Sequence, residues 1–512
     1  MVPPTYGRGG RRARRTLLRD APLFALAGVT ALGAAGIGGG LARIAFATTA
    51  VVTGVIYYRS SPERYVLFTL WMWILCPMVR RMVDMRAGYD PQNAISITPL
   101  AVSAIAAAGV FQRLPRLLRR SYAPFLLIGA ALLYGAIAGI LRNGVAGTLY
   151  TLGLWLVPVV FGLYIALEWH RYDAVRRAFV RFAPVAVLVM GVYGVIQWVR
   201  PWAWDVQWLI DTRTTTSSFG SPEPYGVRVF STLNGPAAFG IVIGAALLLL
   251  FARPRPAHAV AGAAGGAAFL LSLCRTAWVA WVIAAIAYAA TLGGRTRLRI
   301  LVVGVGLTLA IGGVIIAVPL VPANRFTDII TRRVQTITNP TEDASLTARQ
   351  SSLGDYVSAI LDRPQGYGLG STGLGTGLAG TSEGGAVRDF DNGVLEAFYS
   401  LGLVGGLCWM LGLGLLVFRH VARRFPPSDR FANVARAMVL FCLVAYGSTN
   451  SAAGVGGIFF WSGIGLCMAA REWAAHRNAG PANAHATSSV HDTTQRIAAR
   501  IASRRGQPTR PA

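Results

Sequence analysis

Residues 233–255 read LNGPAAFGIVIGAALLLLFARPR, twenty positions from Leu233 to Ala252 without a charged side chain, then Arg253 and Arg255. A helix needs about 20 predominantly apolar residues to cross the hydrocarbon core, so this run is read as a membrane span that stops against basic residues. The same pattern recurs along the chain. Further runs near that length lie at about 22–38, 41–58, 65–79, 93–112, 123–141, 148–168, 182–198, 257–273, 276–292, 300–320, 396–418, 434–448 and 455–470. Glycines 38 to 40 between the first two mark either a turn or a kink in a packed hairpin.

Composition agrees with lipid as the solvent. Of the 512 residues 54% are hydrophobic and 13% charged, with a mean hydropathy of +0.50. Soluble domains with a polar shell rarely reach that combination, which excludes a soluble globular enzyme. The formal charge of +27 and the pI near 11.1 would suggest nucleic acid if they formed one surface patch. Instead all 48 basic residues are arginine, mostly in short clusters between apolar runs, so no nucleic-acid partner is expected.

With the amino terminus in the cytoplasm, the clusters fall on the inside by the positive-inside rule. They are the arm from Arg8 to Arg19, Arg59 with Arg64, Arg113 to Arg120, Arg171 to Arg181, Arg253 with Arg255, Arg295 to Arg299, and Arg419 to Arg424. An even span count follows, with both termini cytoplasmic. The chain divides into a basic cytoplasmic arm (1–21), a polytopic membrane domain (22–470) and a basic tail (471–512) read as disordered or lying on anionic lipid. No cleavable signal peptide is expected, the first apolar run staying as an anchor. Cys76, Cys274, Cys408, Cys442 and Cys467 have no metal-ligand spacing and read as small core residues.

Three outside segments break the arginine rule: 80–93, 200–231 and a long loop at about 321–395, far longer than a turn between helices needs. The long loop predicts an amphipathic helix from Thr347 to Leu361, with Leu353, Tyr356, Val357, Ile360 and Leu361 on one side, able to roof a cavity. Gly368-Leu-Gly370-Ser-Thr-Gly373 matches a dinucleotide-binding pattern by letter but lacks a βαβ context. A flexible lid, a close approach to a ligand, or plain disorder fits it better. Asp389 and Asp391 form a DxD whose use as a metal site is disfavoured, and no metal or cofactor is expected.

Arg228, Arg275 and Arg349 each sit near the outer boundary, where a guanidinium needs water or an anion. Local carboxylates or lipid phosphates are the plain alternative for any one of them. Three converging would suit a diphosphate through bidentate donors. All six histidines fall in cytoplasmic segments, so an outside reaction takes its base from a carboxylate. Candidates include Asp84, Asp90, Asp205, Asp211, Glu223, Asp355, Asp362 and Asp391, with Glu396 at the margin, and most are read as ordinary solvated charges.

Three stretches together resemble the bacterial O-antigen ligase and polymerase family: Tyr225-Gly-Val-Arg228-Val-Phe-Ser-Thr-Leu-Asn234-Gly-Pro, Leu271-Ser-Leu-Cys-Arg275-Thr-Ala-Trp278, and Arg349 through Arg363-Pro-Gln-Gly366-Tyr-Gly368 to Asp391-Asn392-Gly-Val-Leu395-Glu396 and Leu401-Gly-Leu-Val-Gly405. Ligases of that family commonly carry histidine where Asp391 stands, which favours a polymerase. Arg80-Arg81-Met-Val-Asp84-Met-Arg86-Ala-Gly88-Tyr-Asp90-Pro-Gln is similar to a stretch of exopolysaccharide members.

The resemblance implies an all-α, GT-C-like membrane protein of about 12 to 14 spans with one large periplasmic loop. It implies an inner-membrane, metal-independent glycosyltransferase acting on undecaprenyl-diphosphate-linked oligosaccharide, with a chain-length regulator and a flippase as further partners. Arg228, Arg275 and Arg349 would bind the diphosphate, Asp391 would act as base or orient the acceptor, and Asn234 and Asn392 would contact substrate. The alternatives are an O-antigen ligase transferring glycan to lipid A core, a lipid-linked oligosaccharide flippase or transporter, and a non-catalytic scaffold.

Overall fold

The computed structural model describes residues 8–212, 219–294, 344–373 and 392–478, together with positions 297 and 376. Among them the chain is all-helical, with one isolated bridge between Gly220 and Val227 and no strand. The helices are α1 (Arg8–Ala34), α2 (Gly39–Ser60), α3 (Pro62–Ala87), α4 (Ala94–Ala104), α5 (Ala106–Phe111), α6 (Pro124–Asn143), α7 (Val145–Leu167), α8 (Tyr172–Val199), α9 (Ala203–Asp211), α10 (Pro236–Leu250), α11 (His258–Leu271), α12 (Arg275–Ala289), α13 (Ala344–Asp362), α14 (Gly393–Leu416), α15 (Arg430–Tyr446) and α16 (Gly454–Asn478).

Every expected span falls on a helix except 300–320, which lies outside the described residues. Among the described residues eight helices, with α4 and α5 taken together, are long and apolar enough to cross a membrane, and α1, α10, α11 and α12 contribute shorter apolar ones. Proline opens α3, α6 and α10, where the missing N–H is lost without penalty. Gly144, at φ 77°, turns α6 directly into α7.

Large apolar side chains stay exposed in rows along the bundle, such as Leu133, Ile137, Ile140 and Leu141 on α6 and Val404, Leu407 and Leu411 on α14. Water would penalise so continuous an apolar surface, whereas a bilayer matches it. The chain is therefore a multi-pass membrane protein.

Between the helices the core is dense. Trp155 of α7, Trp409 of α14 and Trp461 of α16 meet with ring centroids 5.0 and 5.8 Å apart. Gly162 of α7 faces Gly465 of α16, so the two backbones touch, the small-residue packing that lipid-embedded helices use. The hairpin connections give the bundle two ends. One carries the arginine-rich links, tied by Arg113 to Glu168 at 2.5 Å and by Arg419 to the Arg120 carbonyl at 2.7 Å. The other carries the 88–93 link, α9, the 219–235 segment, α13 and the start of α14.

α13 covers residues 344–362, so the expected loop helix exists and begins slightly earlier. Its inner face is narrower than the sequence pattern suggests. Ile360, with Tyr356 and Ala359, packs on Tyr399, Leu395 and Phe398 of α14. Leu353, Val357 and Leu361 point away and are exposed.

Candidate functional site

At the end opposite the arginine-rich links, the 225–235 segment passes into the bundle without helical structure, and Val229 to Leu233 are completely buried. Irregular backbone at that depth needs protein partners for its polar groups, since lipid supplies none. Gln197 of α8 accepts the Phe230 and Ser231 amides at 3.0 and 2.8 Å. Arg81 of α3 donates to the Ser231 carbonyl at 2.5 Å, to the Leu233 carbonyl, and to the Asn234 side-chain oxygen at 3.3 Å. Its Nε lies 3.0 Å from Asp205 of α9, and both side chains are closed to solvent. Tyr193 and Gln197 complete the carboxylate's shell. Burial raises the Asp205 carboxyl from its ordinary value, against the pull of Arg81 and of the hydrogen bonds from Gln197 and Tyr193.

A second ionic cluster locks the 88–93 link. Asp84 accepts from Arg43 at 2.8 Å, Arg80 at 3.1 Å and Asn93 at 2.6 Å. Arg43 also reaches Asp90 and the Gly88 carbonyl, and Arg80 reaches the Asp90 carbonyl. Asp84 and Asp205 are thus buried partners of arginine rather than solvated charges. In the stretch from Arg80 to Gln92, Arg80, Arg81, Asp84 and Asp90 hold other parts of this end in place.

Arg228 and Arg275 come together through a turn. The α11–α12 junction has Leu273 in the left-handed region at φ 54°, and Arg228 donates to the Ser272 and Leu273 carbonyls there at 3.3 and 3.1 Å. The Val229 amide donates to the Leu271 carbonyl at 3.1 Å. Arg228 thereby caps the carbonyl end of α11, and Arg275, exposed, opens α12 just beyond it.

The glycine-rich stretch is neither a lid nor a nucleotide loop over the part described. α14 breaks at Gly402, φ 70°, and residues 364–369 run through the break. The Tyr367 and Gly368 amides take the Tyr399 and Ser400 carbonyls, both at 2.9 Å, and the Leu403 amide takes the Pro364 carbonyl at 2.7 Å. On the other side the Leu369 amide reaches the Gly135 carbonyl of α6 at 2.9 Å. Arg142, Asn143 and Thr148 donate to the segment's carbonyls. Gly368, at φ 84°, has no room for a side chain, since a Cβ would stand 2.5 Å from the Gly139 nitrogen.

This hook carries Thr372 to the first turn of α14, where the N-cap Asn392 accepts the Val394 and Leu395 amides at 2.9 and 3.2 Å. Glu396 there accepts from Thr372 Oγ1 at 3.0 Å and from Asn450 Nδ2 at 2.9 Å. The three side chains line a cavity of about 200 Å³ with Thr151, Leu154, Trp155, Gly373, Ala453 and Gly454. A carboxylate, an amide, a hydroxyl and an indole-bearing wall suit the hydroxyl groups of a polar ligand.

Of the residues expected at the site, Arg228 and Arg275 adjoin each other, Asn234 accepts from the Arg81 side chain, and Asn392 caps the backbone of α14. Neither arginine lines the Glu396 cavity. Arg349 lies on α13 with its side chain outside the described residues, and so do Asp389 and Asp391 entirely. Among the described residues no group of histidine, cysteine and carboxylate side chains is arranged to hold a metal ion. Arg81, Arg43, Asp205 and Asn450 were missed because their partners lie far away in sequence. The available signal was a basic or acidic residue inside an otherwise apolar helix, as at Arg43 and Arg81. No family model and no curated protein matches the chain.

Proposed function

We propose that the chain is a membrane glycosyltransferase that joins undecaprenyl-diphosphate-linked oligosaccharide repeats into an O-antigen or exopolysaccharide at the periplasmic face of the inner membrane. The observation that carries this reading is the docking of Arg228 on the turn that presents Arg275. It makes two arginines 47 positions apart one cationic edge, at the bundle end that the arginine distribution assigns to the outside.

In the reaction, an acceptor sugar hydroxyl attacks the anomeric carbon of the lipid-linked chain. The new C–O bond forms as the bond to the lipid diphosphate breaks, and the hydroxyl proton passes to a base or to water. The diphosphate is a weakly basic leaving group, so it needs charge stabilisation more than a proton. Arginines held in place before the reaction supply that, and losing one such donor costs about 3–4 kcal/mol in typical cases. Arg349 of α13 is assigned to the same role, and Asp391 keeps its assignment beside the acceptor.

Glu396 joins Asp391 as a candidate for orienting the acceptor. Its cavity is small against the roughly 300–1,000 Å³ of pockets that enclose drug-sized ligands, which fits one ring of a sugar chain.

Deletion of the gene followed by glycan profiling tests the proposal. Single repeats capped onto lipid A core, or unpolymerised repeats on the lipid carrier, are the expected result. Full-length polymer stranded on its carrier would instead assign a ligase, and repeats retained at the cytoplasmic face a flippase.

A further inference from the structure

At the arginine-rich end, Arg181 of α8 and Arg253 and Arg255 of the α10–α11 link line one cavity of about 530 Å³, with Val180, Pro184, Val185 and His258. No carboxylate among the described residues pairs with any of the three arginines. The nearest described ion pair on α8, Arg176 with Asp173 at 3.1 Å, engages neither partner with them. Arg81 and Arg43 meet aspartate inside the bundle, whereas Arg181, Arg253 and Arg255 are exposed at its arginine-rich end and bring three guanidinium groups to one cavity without a counter-charge among the described residues. Like charges so gathered make a site that favours an anion.

Three further features point the same way. His258, the first residue of α11, contributes a buried Nδ1 with no hydrogen-bond partner among the described residues. α11 is 14 residues long, and its positive dipole end opens at this wall. On the lipid side the cavity continues into an apolar stripe on one face of α8, where Val185 is 49% exposed and Leu188, Val189, Val192, Ile196 and Val199 follow. Their spacing of three, four and seven residues puts them in one row running from the cavity along the helix.

A basic pocket at the membrane boundary above an apolar track matches a molecule with a phosphate head and acyl tails. We propose that this cavity binds the phosphate of an anionic bilayer phospholipid, with Arg181, Arg253 and Arg255 on the phosphate oxygens, His258 at the wall, and an acyl chain along the α8 stripe. Recognition is by charge and by bidentate guanidinium donors. The free inorganic anion has the same head chemistry but nothing to occupy the stripe.

The test uses the full chain in nanodiscs of phosphatidylcholine alone, of phosphatidylcholine with a minority of phosphatidylglycerol, and in detergent with inorganic phosphate. Thermal unfolding and native mass spectrometry of retained lipid are read on wild type and on the triple variant R181Q/R253Q/R255Q. Phosphatidylglycerol is expected to raise the wild-type Tm and to stay bound. The variant is expected to keep the wild-type Tm in phosphatidylcholine and to lose its preference for the anionic lipid by on the order of a hundredfold, the worth of three boundary arginines. A variant that retains the preference overturns the site. A Tm rise that inorganic phosphate reproduces in full overturns the lipid as its ligand.

Discussion

Replacing Arg81 by methionine removes the charge while keeping most of the volume, and the structure says what is then left behind. Asp205, fully buried, loses its only ion-pair partner among the described residues. The carbonyls of Ser231 and Leu233 lose the donor that serves them. Breaking a buried ion pair from one side costs about 3–5 kcal/mol, and each orphaned carbonyl adds about 1–3 kcal/mol. A loss of at least about 5 kcal/mol is expected, against about 0–1 kcal/mol for an exposed pair, and that is a large share of a typical stability of about 5–15 kcal/mol.

The loss also acquires a pH dependence. Burial already raises the Asp205 carboxyl, and Arg81 opposes that push. Without Arg81 the folded-state value climbs further above the unfolded one. The folded form then holds a proton that the unfolded form has released, so stability falls as pH rises through that window. Thermal unfolding of Arg81→Met in nanodiscs, from mildly acidic to mildly alkaline buffer, measures this. Adding Asp205→Asn is expected to flatten the slope and recover the charge part of the loss but not the carbonyl part. A single variant within about 0.5 kcal/mol of wild type, the tolerance of ordinary surface substitutions, or one insensitive to Asp205→Asn, would refute the reasoning.

The other expectations are simpler to read out. Gly368→Ala forces a Cβ against the Gly139 backbone at φ 84° and is expected to cost more than about 2 kcal/mol, while Gly373→Ala, at φ 57° in open space, costs about 1–2 kcal/mol, both by thermal unfolding. Glu396→Gln keeps the shape of the side chain but turns one of its two accepting oxygens into a donor, and polymer formation is expected to fall by about 10²–10⁴-fold in a glycan assay. Arg228→Ala is expected to lower both stability and polymer, because it also uncaps α11, and Arg275→Ala is expected to lower polymer; wild-type polymer from both variants would contradict their role at the diphosphate. Cysteine introduced at Glu223 is expected to react with an impermeant thiol reagent added outside intact cells, and cysteine at Arg119 is not, against a low background from native cysteines of which four are buried and Cys408 is half-buried.

How far a sequence discloses such a molecule depends on the range of the interaction that fixes each part. Spans are fixed by transfer of local segments into lipid, so the run from 233 to 252 announced itself, and α10 covers most of it. The first three positions of that run lie outside α10 for another reason: Leu233 to Gly235 lead in from a buried irregular segment whose carbonyls depend on Arg81, about 150 residues earlier. Long-range pairing of this sort leaves no periodicity. Asp205 and Asp84 looked like solvated charges in a linear view, because nothing adjacent says that Arg81 and Arg43 arrive from other helices.

Gly366 to Gly370 show the same limit from the opposite direction. Their composition is that of a flexible loop, yet the requirement they meet is steric, a strand of backbone lying in the break of α14 against the ends of α6 and α7. Glycine density alone does not separate freedom from close contact, since both demand the absence of a side chain. The distinction lies in the partners: the carbonyls that a helix break at Gly402 releases must be satisfied inside the protein, and the 364–369 segment is what satisfies them. Any account of chemistry at this end therefore treats the hook, the α14 break and Glu396 as one mechanical unit. A displacement of this segment removes the Thr372 hydroxyl from Glu396 and uncaps the Tyr399 and Ser400 carbonyls together.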